Sequence, residues 1–175
     1  HAAGFMDFDP ELERLLQEVD ESHLKICFDT GHHSYAGYDP IKFMERYIQR
    51  ISYMHFKDID PIVKADVVSK RTDFYSACGQ GIFCNLGDGD VNFKLVRKLL
   101  LENNFDGWCT VEQDCDPNGK TSPLVDAKLN RDYLDSIGFN CPSHWSLPLD
   151  SIFNGFPHCS LLFDVSAAQF TYYVT

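Results

Sequence analysis

Positive charge is scarce in this chain. Across 175 residues, 15 Lys and Arg stand against 26 Asp and Glu, a formal net charge of −11. Nucleic acid and anionic membrane surfaces both reward clustered cations, so neither is expected as a partner; a small neutral substrate is compatible with the balance. No CxxC pair occurs, and the seven cysteines are an odd number. Cys27 and Cys109 sit inside apolar runs, where thiols behave as small hydrophobes, so a disulfide framework is not expected. No signal-peptide-like or transmembrane run stands at the start, and a reducing, cytoplasmic setting is the expectation. The first residue is His1 rather than Met, so the chain reads as a fragment. Neither "GQG" (79–81) nor "GDG" (87–89) precedes Lys-Ser/Thr or lies in a strand–GxGxxG–helix context. Both therefore read as turns, not phosphate cradles.

What is present is a globular composition, 44% hydrophobic and 14% aromatic, on a chain long enough to bury one core. Apolar runs alternate with amphipathic stretches. "FDPELERLLQEVD" places Asp9 as a helix N-cap, Pro10 at the first helical position, and Leu12, Leu15, Leu16 and Val19 on one face. "YDPIKFMERYIQ" repeats that start at Asp39 and Pro40. Strands are expected at 24–29, 51–58 and 107–114, and helices at 91–104 and 122–139, with a short helix near 64–77. Alternation of this kind implies βαβ units and a parallel sheet, hence an α/β fold.

Each expected strand ends on polar side chains: Asp29, then His55 with Lys57, then Glu112. Singly, each residue has a blander reading. Asp29 caps the following helix or pairs with a surface lysine, His55 is a hydrogen-bonded core histidine, and Glu112 and its neighbour Asp114 are solvated. Right-handed crossovers, however, bring the carboxyl ends of all parallel strands to one face, where α/β folds place their chemistry. Two carboxylates and an imidazole meeting there suit a divalent metal ion with open positions. In the tandem His32–His33, one ring is expected to face the site and the other to cap or face solvent.

Four segments, "FDTGHH", "MHFKDI", "GIFCNLGDGDVNFKLVRKLL" and "GWCTVEQD", in this order, resemble the C-terminal half of the xylose-isomerase-like TIM barrels. Within that superfamily they are most similar to the inosose dehydratases. The resemblance covers residues 1–139 and implies a (β/α)8 barrel, here a partial barrel with about the last three strands and their helices. It implies a Mn2+ or Co2+ ion held by Asp29, His55 and Glu112. It also implies that His32, rather than His33, faces substrate, with Lys57 near the pocket. The family's fourth ligand ends the preceding strand, of which His1-Ala-Ala-Gly4 would be the remnant, so His1 is either a ligand or a neighbouring substrate contact.

The activity implied is a lyase of inositol catabolism that dehydrates a keto-inositol, 2-keto-myo-inositol, through an enediolate. Glu112 would serve there as base or acid, and His32 as donor to the departing hydroxyl. A sugar isomerase or epimerase of the same fold is the alternative, and a non-catalytic fragment acting as an interaction module is a third. The partners implied are a small polyol or keto-sugar and the missing N-terminal half of the barrel. Residues 140–175 match nothing in the family. They are read as an extension, an appendage covering a sheet edge, or sequence outside the true reading frame, with the last preferred. Cys141, His144, His158 and Cys159 lack zinc-site spacing.

Overall fold

Helix start signals shape most of the architecture. The computed structural model describes residues 9–114 and 122–139, together with the backbone of two strands at 158–164 and 169–173. Helix α1 (Asp9–Glu18) leads to strand β1 (Ile26–Asp29), which runs directly into the short helix α2 (Thr30–Tyr35). Helix α3 (Pro40–Tyr47) starts on Asp39, whose carboxylate accepts from the N–H groups of Ile41 and Lys42. It tightens into one 3-10 turn before β2 (Ile51–Phe56), which is followed by the two-residue strand β3 (Asp58–Ile59). The short helix expected near 64–77 is two helices, α4 (Pro61–Lys70) and α5 (Phe74–Gly79), each capped by an aspartate, Asp60 and Asp73. Strand β4 (Phe83–Cys84), helix α6 (Phe93–Glu102), strand β5 (Trp108–Asp114) and helix α7 (Pro123–Ser136) complete the family-like part. Strands β6 (His158–Asp164) and β7 (Gln169–Tyr173) follow.

The main sheet has the order β1-β2-β5-β6-β7. The first three strands are parallel, as the alternation of elements requires, and β6 and β7 are antiparallel additions on the free side of β5. Most of residues 140–175 lie outside the described residues, and of them only the backbone of β6 and β7 is described, β6 pairing with β5. Among the described residues the sheet does not close into a barrel. No helix among them is long and apolar enough to cross a membrane.

Strand alternation sorts the side chains into two faces. Phe28, Met54, Phe56, Cys109 and Val111 are buried under the helices, against Phe43 and Met44 of α3, Phe93, Val96 and Leu100 of α6, and Leu134 of α7. A side chain such as Phe56, with no exposed surface, stabilises the fold by about 1.5–3 kcal/mol relative to leaving it in water. The opposite face carries Cys27, Asp29, Tyr53, His55, Lys57, Thr110, Glu112 and Asp114. Register aligns it: Asp29 is paired with His55, and His55 with Thr110, one same-face step before Glu112.

Candidate functional site

The site is built on the turn from β1 into α2. Asp29 is the N-cap of that helix: its Oδ1 accepts from the His32 N–H at 2.8 Å. The capping role weighed for this residue is therefore real, and it uses one oxygen. The other, Oδ2, is buried and makes no hydrogen bond. It lies 3.4 Å from His55 Nδ1 and 3.9 Å from both His32 Nε2 and Lys57 Nζ. Burial alone would raise the Asp29 carboxyl, but the His55 imidazole, the Lys57 ammonium and His32 together hold it below the ordinary carboxylate range.

His55 stands between two carboxylates, with Nδ1 also 3.3 Å from Glu112 Oε1. Burial works against its charge. Asp29, the Cys27 thiol and Glu112 outweigh that and raise it to about 10. Ligation through Nδ1 would require that proton to leave. A ring nitrogen of His32 and carboxylate oxygens of Asp29 and Glu112 also lie within 4.8 Å of one another. The trio whose ligand atoms lie within reach of one ion therefore contains His32, expected only on the substrate side, while His55, the expected imidazole ligand, stands between the same two carboxylates. A buried carboxylate oxygen without a hydrogen bond, beside a second carboxylate and an imidazole, is a donor set suited to a divalent ion.

The tandem histidines diverge. His33 packs among the rings of Phe28, Tyr38 and Phe43 and sets Nε2 3.5 Å from Asp9 Oδ1, on the helix side of the sheet. His32 faces the carboxylates. Its Nε2 accepts from Lys57 Nζ at 3.1 Å, and burial lowers it to about 4, so it is a neutral imidazole at neutral pH. His1 lies outside the described residues.

Lys57 is the centre of the cluster. Its side chain is 1% exposed, yet its ammonium contacts Asp114 Oδ2 at 2.8 Å, Glu112 Oε2 at 3.1 Å and the Phe83 ring at 4.8 Å. Burial opposes its charge, but Asp29, Asp114 and Glu112 more than compensate and raise it above the ordinary lysine value. Its main chain is clamped by the Thr30 hydroxyl, which accepts from Lys57 N–H and donates to Lys57 C=O. Gly31 makes room for the stem: a Cβ there would lie 2.6 Å from Lys57 Cγ. Asp114, read from sequence as solvated, is instead tied into the cluster. Its signal was its parity with Glu112, which puts both carboxylates on one face of β5.

An aromatic wall bounds the site. Phe74 and Phe83 sit 5.5 Å and 5.2 Å from the His32 ring, and Tyr35 abuts both. Phe83 is placed by the β3–β4 ladder and by the loop that follows it. That loop is organised around Asp58, whose carboxylate accepts the N–H groups of Ile59, Gly87, Gly89 and Val91. The second Gly-X-Gly segment lies in an irregular turn, as expected, whereas the first begins on the last residue of α5 and turns only at Gln80 and Gly81; Gly81 and Gly87 adopt positive φ.

Residues 1–137 match the family described as xylose isomerase-like TIM barrel. Similar proteins include the inosose dehydratase of Mesomycoplasma hyopneumoniae, 40% identical over 128 residues, or 73% of this chain and 42% of that protein. The inosose dehydratase of Clostridium tetani is 39% identical over 124 residues, covering 71% and 41%. That of Geobacillus kaustophilus is 34% identical over 137 residues, covering 78% and 44%. The chain thus spans less than half the length of these relatives. Among solved structures, a probable 3-DHS dehydratase from Bacillus anthracis aligns with a TM-score of 0.48 at 21% identity, over 73% of this chain and 43% of that one.

Proposed function

Because the chain belongs to the xylose isomerase-like TIM barrel family, we propose that it carries the ion-binding half of a lyase that removes water from a keto-inositol. The observation that carries this reading is the convergence of Asp29, His55, Lys57 and Glu112 at the ends of adjacent parallel strands, with His32 of α2 beside them. The similar inosose dehydratases supply the substrate class.

Such a dehydration takes a proton from the carbon next to the ketone and expels hydroxide from the carbon beyond it. A divalent ion held by Asp29, His55 and Glu112 would supply positive charge where the carbonyl oxygen becomes negative. Glu112, part-exposed beside His55, would accept a proton from substrate. Neutral His32 offers an acceptor nitrogen to Lys57 and orients its ammonium. Charged Lys57 would hold Glu112 and His32 in place, and His32 would donate to the departing hydroxyl. Phe74 and Phe83 restrict water on one side.

The test joins the chain to the N-terminal half of one of its relatives and incubates it with 2-keto-myo-inositol and Mn2+ or Co2+. Loss of water with a new ultraviolet-absorbing product is expected. Formation of an epimeric ketose with no loss of water would assign the site to an isomerase instead.

A further inference from the structure

Asp114 makes the shortest ionic contact of the Lys57 ammonium, 2.8 Å, against 3.1 Å for Glu112 and 3.9 Å for Asp29. We propose that Asp114 is a positioning residue that acts as the dedicated counter-ion of Lys57, so that the ammonium does not claim Glu112 and Asp29 and both remain available to a divalent ion. The inference rests on the ion-dependent reading above and names a residue that reading does not use.

Charge and confinement carry it. Three carboxylates, those of Asp29, Glu112 and Asp114, surround Lys57, and one ammonium with one divalent ion balances them charge for charge. Without Asp114, two carboxylates face three positive charges, and lysine and ion compete for Glu112. Lys57 cannot relieve that competition by leaving. Its stem fills the space at Gly31, its main chain is held by Thr30, and its head lies over Phe83. The ammonium is buried and Glu112 and Asp114 are only part-exposed, so water screens the contest weakly and the partner available to the ammonium decides what the ion can have.

The test is a double-mutant cycle on the 175-residue chain, with Mn2+ binding read by calorimetry. Asp114→Asn should weaken Mn2+ binding by roughly 10–100-fold, the range typical for partners that support metal ligands. In a Lys57→Met background the same substitution should change affinity by no more than about twofold, because its effect runs through the lysine. An equal loss in both backgrounds overturns the proposal, as does an unchanged affinity for Asp114→Asn alone. Asp114→Glu, which keeps the charge and is the check if Asp114→Asn does not fold, should retain affinity, and its failure to do so also overturns it. A starting protein that takes up no Mn2+ removes the ion site and this role together. Failure to dehydrate a keto-inositol with Mn2+ bound removes only the reaction.

Discussion

Asp29 carries two roles because its two oxygens face different partners, a helix N-terminus and the ion site. The roles separate by substitution. Asp29→Asn keeps a side chain that caps well, so α2 should persist while Mn2+ binding is lost. Asp29→Ala should lose both and unfold at lower denaturant than Asp29→Asn, by about 0.5–2 kcal/mol, the usual worth of an N-cap. Urea titration without added ion, set beside Mn2+ calorimetry, reads the two effects independently. Equal stability for the two variants would mean that the cap contributes nothing. Lys57→Met isolates the cluster's other charge: it leaves buried carboxylates without their cation and should cost roughly 3–5 kcal/mol, also read in urea. At this scale the sequence was legible where parity and strand ends sufficed, for Asp29, His55 and Glu112. It did not disclose that Lys57 joins Asp114 to His32, because that network depends on where a four-carbon stem is forced to lie, and Gly31 and Thr30 decide that from the start of helix α2.

The loop between β4 and α6 depends on one side chain. Asp58 is fully buried and satisfies four backbone N–H groups, three of them in residues 87–91. Asp58→Ala would leave those donors without their acceptor, each at a cost of about 1–3 kcal/mol if it stays buried. The loop is therefore expected to open. Amide hydrogen exchange should rise across residues 85–91 and at Phe83, while α3 and α6 stay protected. Unchanged exchange in that segment would show that the loop holds itself. Element boundaries followed a similar division between local and tertiary control. Asp-Pro starts located α1 and α3 from sequence, and Asp60-Pro61 is the same signal, which the single helix expected near 64–77 passed over. Helix α2 lacks an apolar stripe, since five of its six residues are buried on every side, so periodicity could not reveal it.

At the scale of the molecule, the main sheet does not close among the described residues, and its inner face is covered around Asp29, Lys57 and Thr110 but exposed at Cys27. Family membership and the partial barrel were legible because four motifs fall in order along β1 to β5. The antiparallel additions β6 and β7 were not, since their segment shows no periodicity to read. The open face has a chemical consequence at the cysteines. Cys27 and Asp29 project to the same side of β1, and the Cys27 thiol is exposed, whereas Cys109 points under the helices and is fully buried. In a closed barrel the position of Cys27 would be interior. Alkylation of the native chain with iodoacetamide, followed by peptide mapping, should therefore label Cys27 rapidly and Cys109 only on unfolding. When the N-terminal half of a relative is joined to the chain, labelling of Cys27 should slow toward that of Cys109, because the added strands cover the face it lines. Protection of Cys27 in the chain alone would mean that this face is already covered, and the open-barrel description would then be wrong.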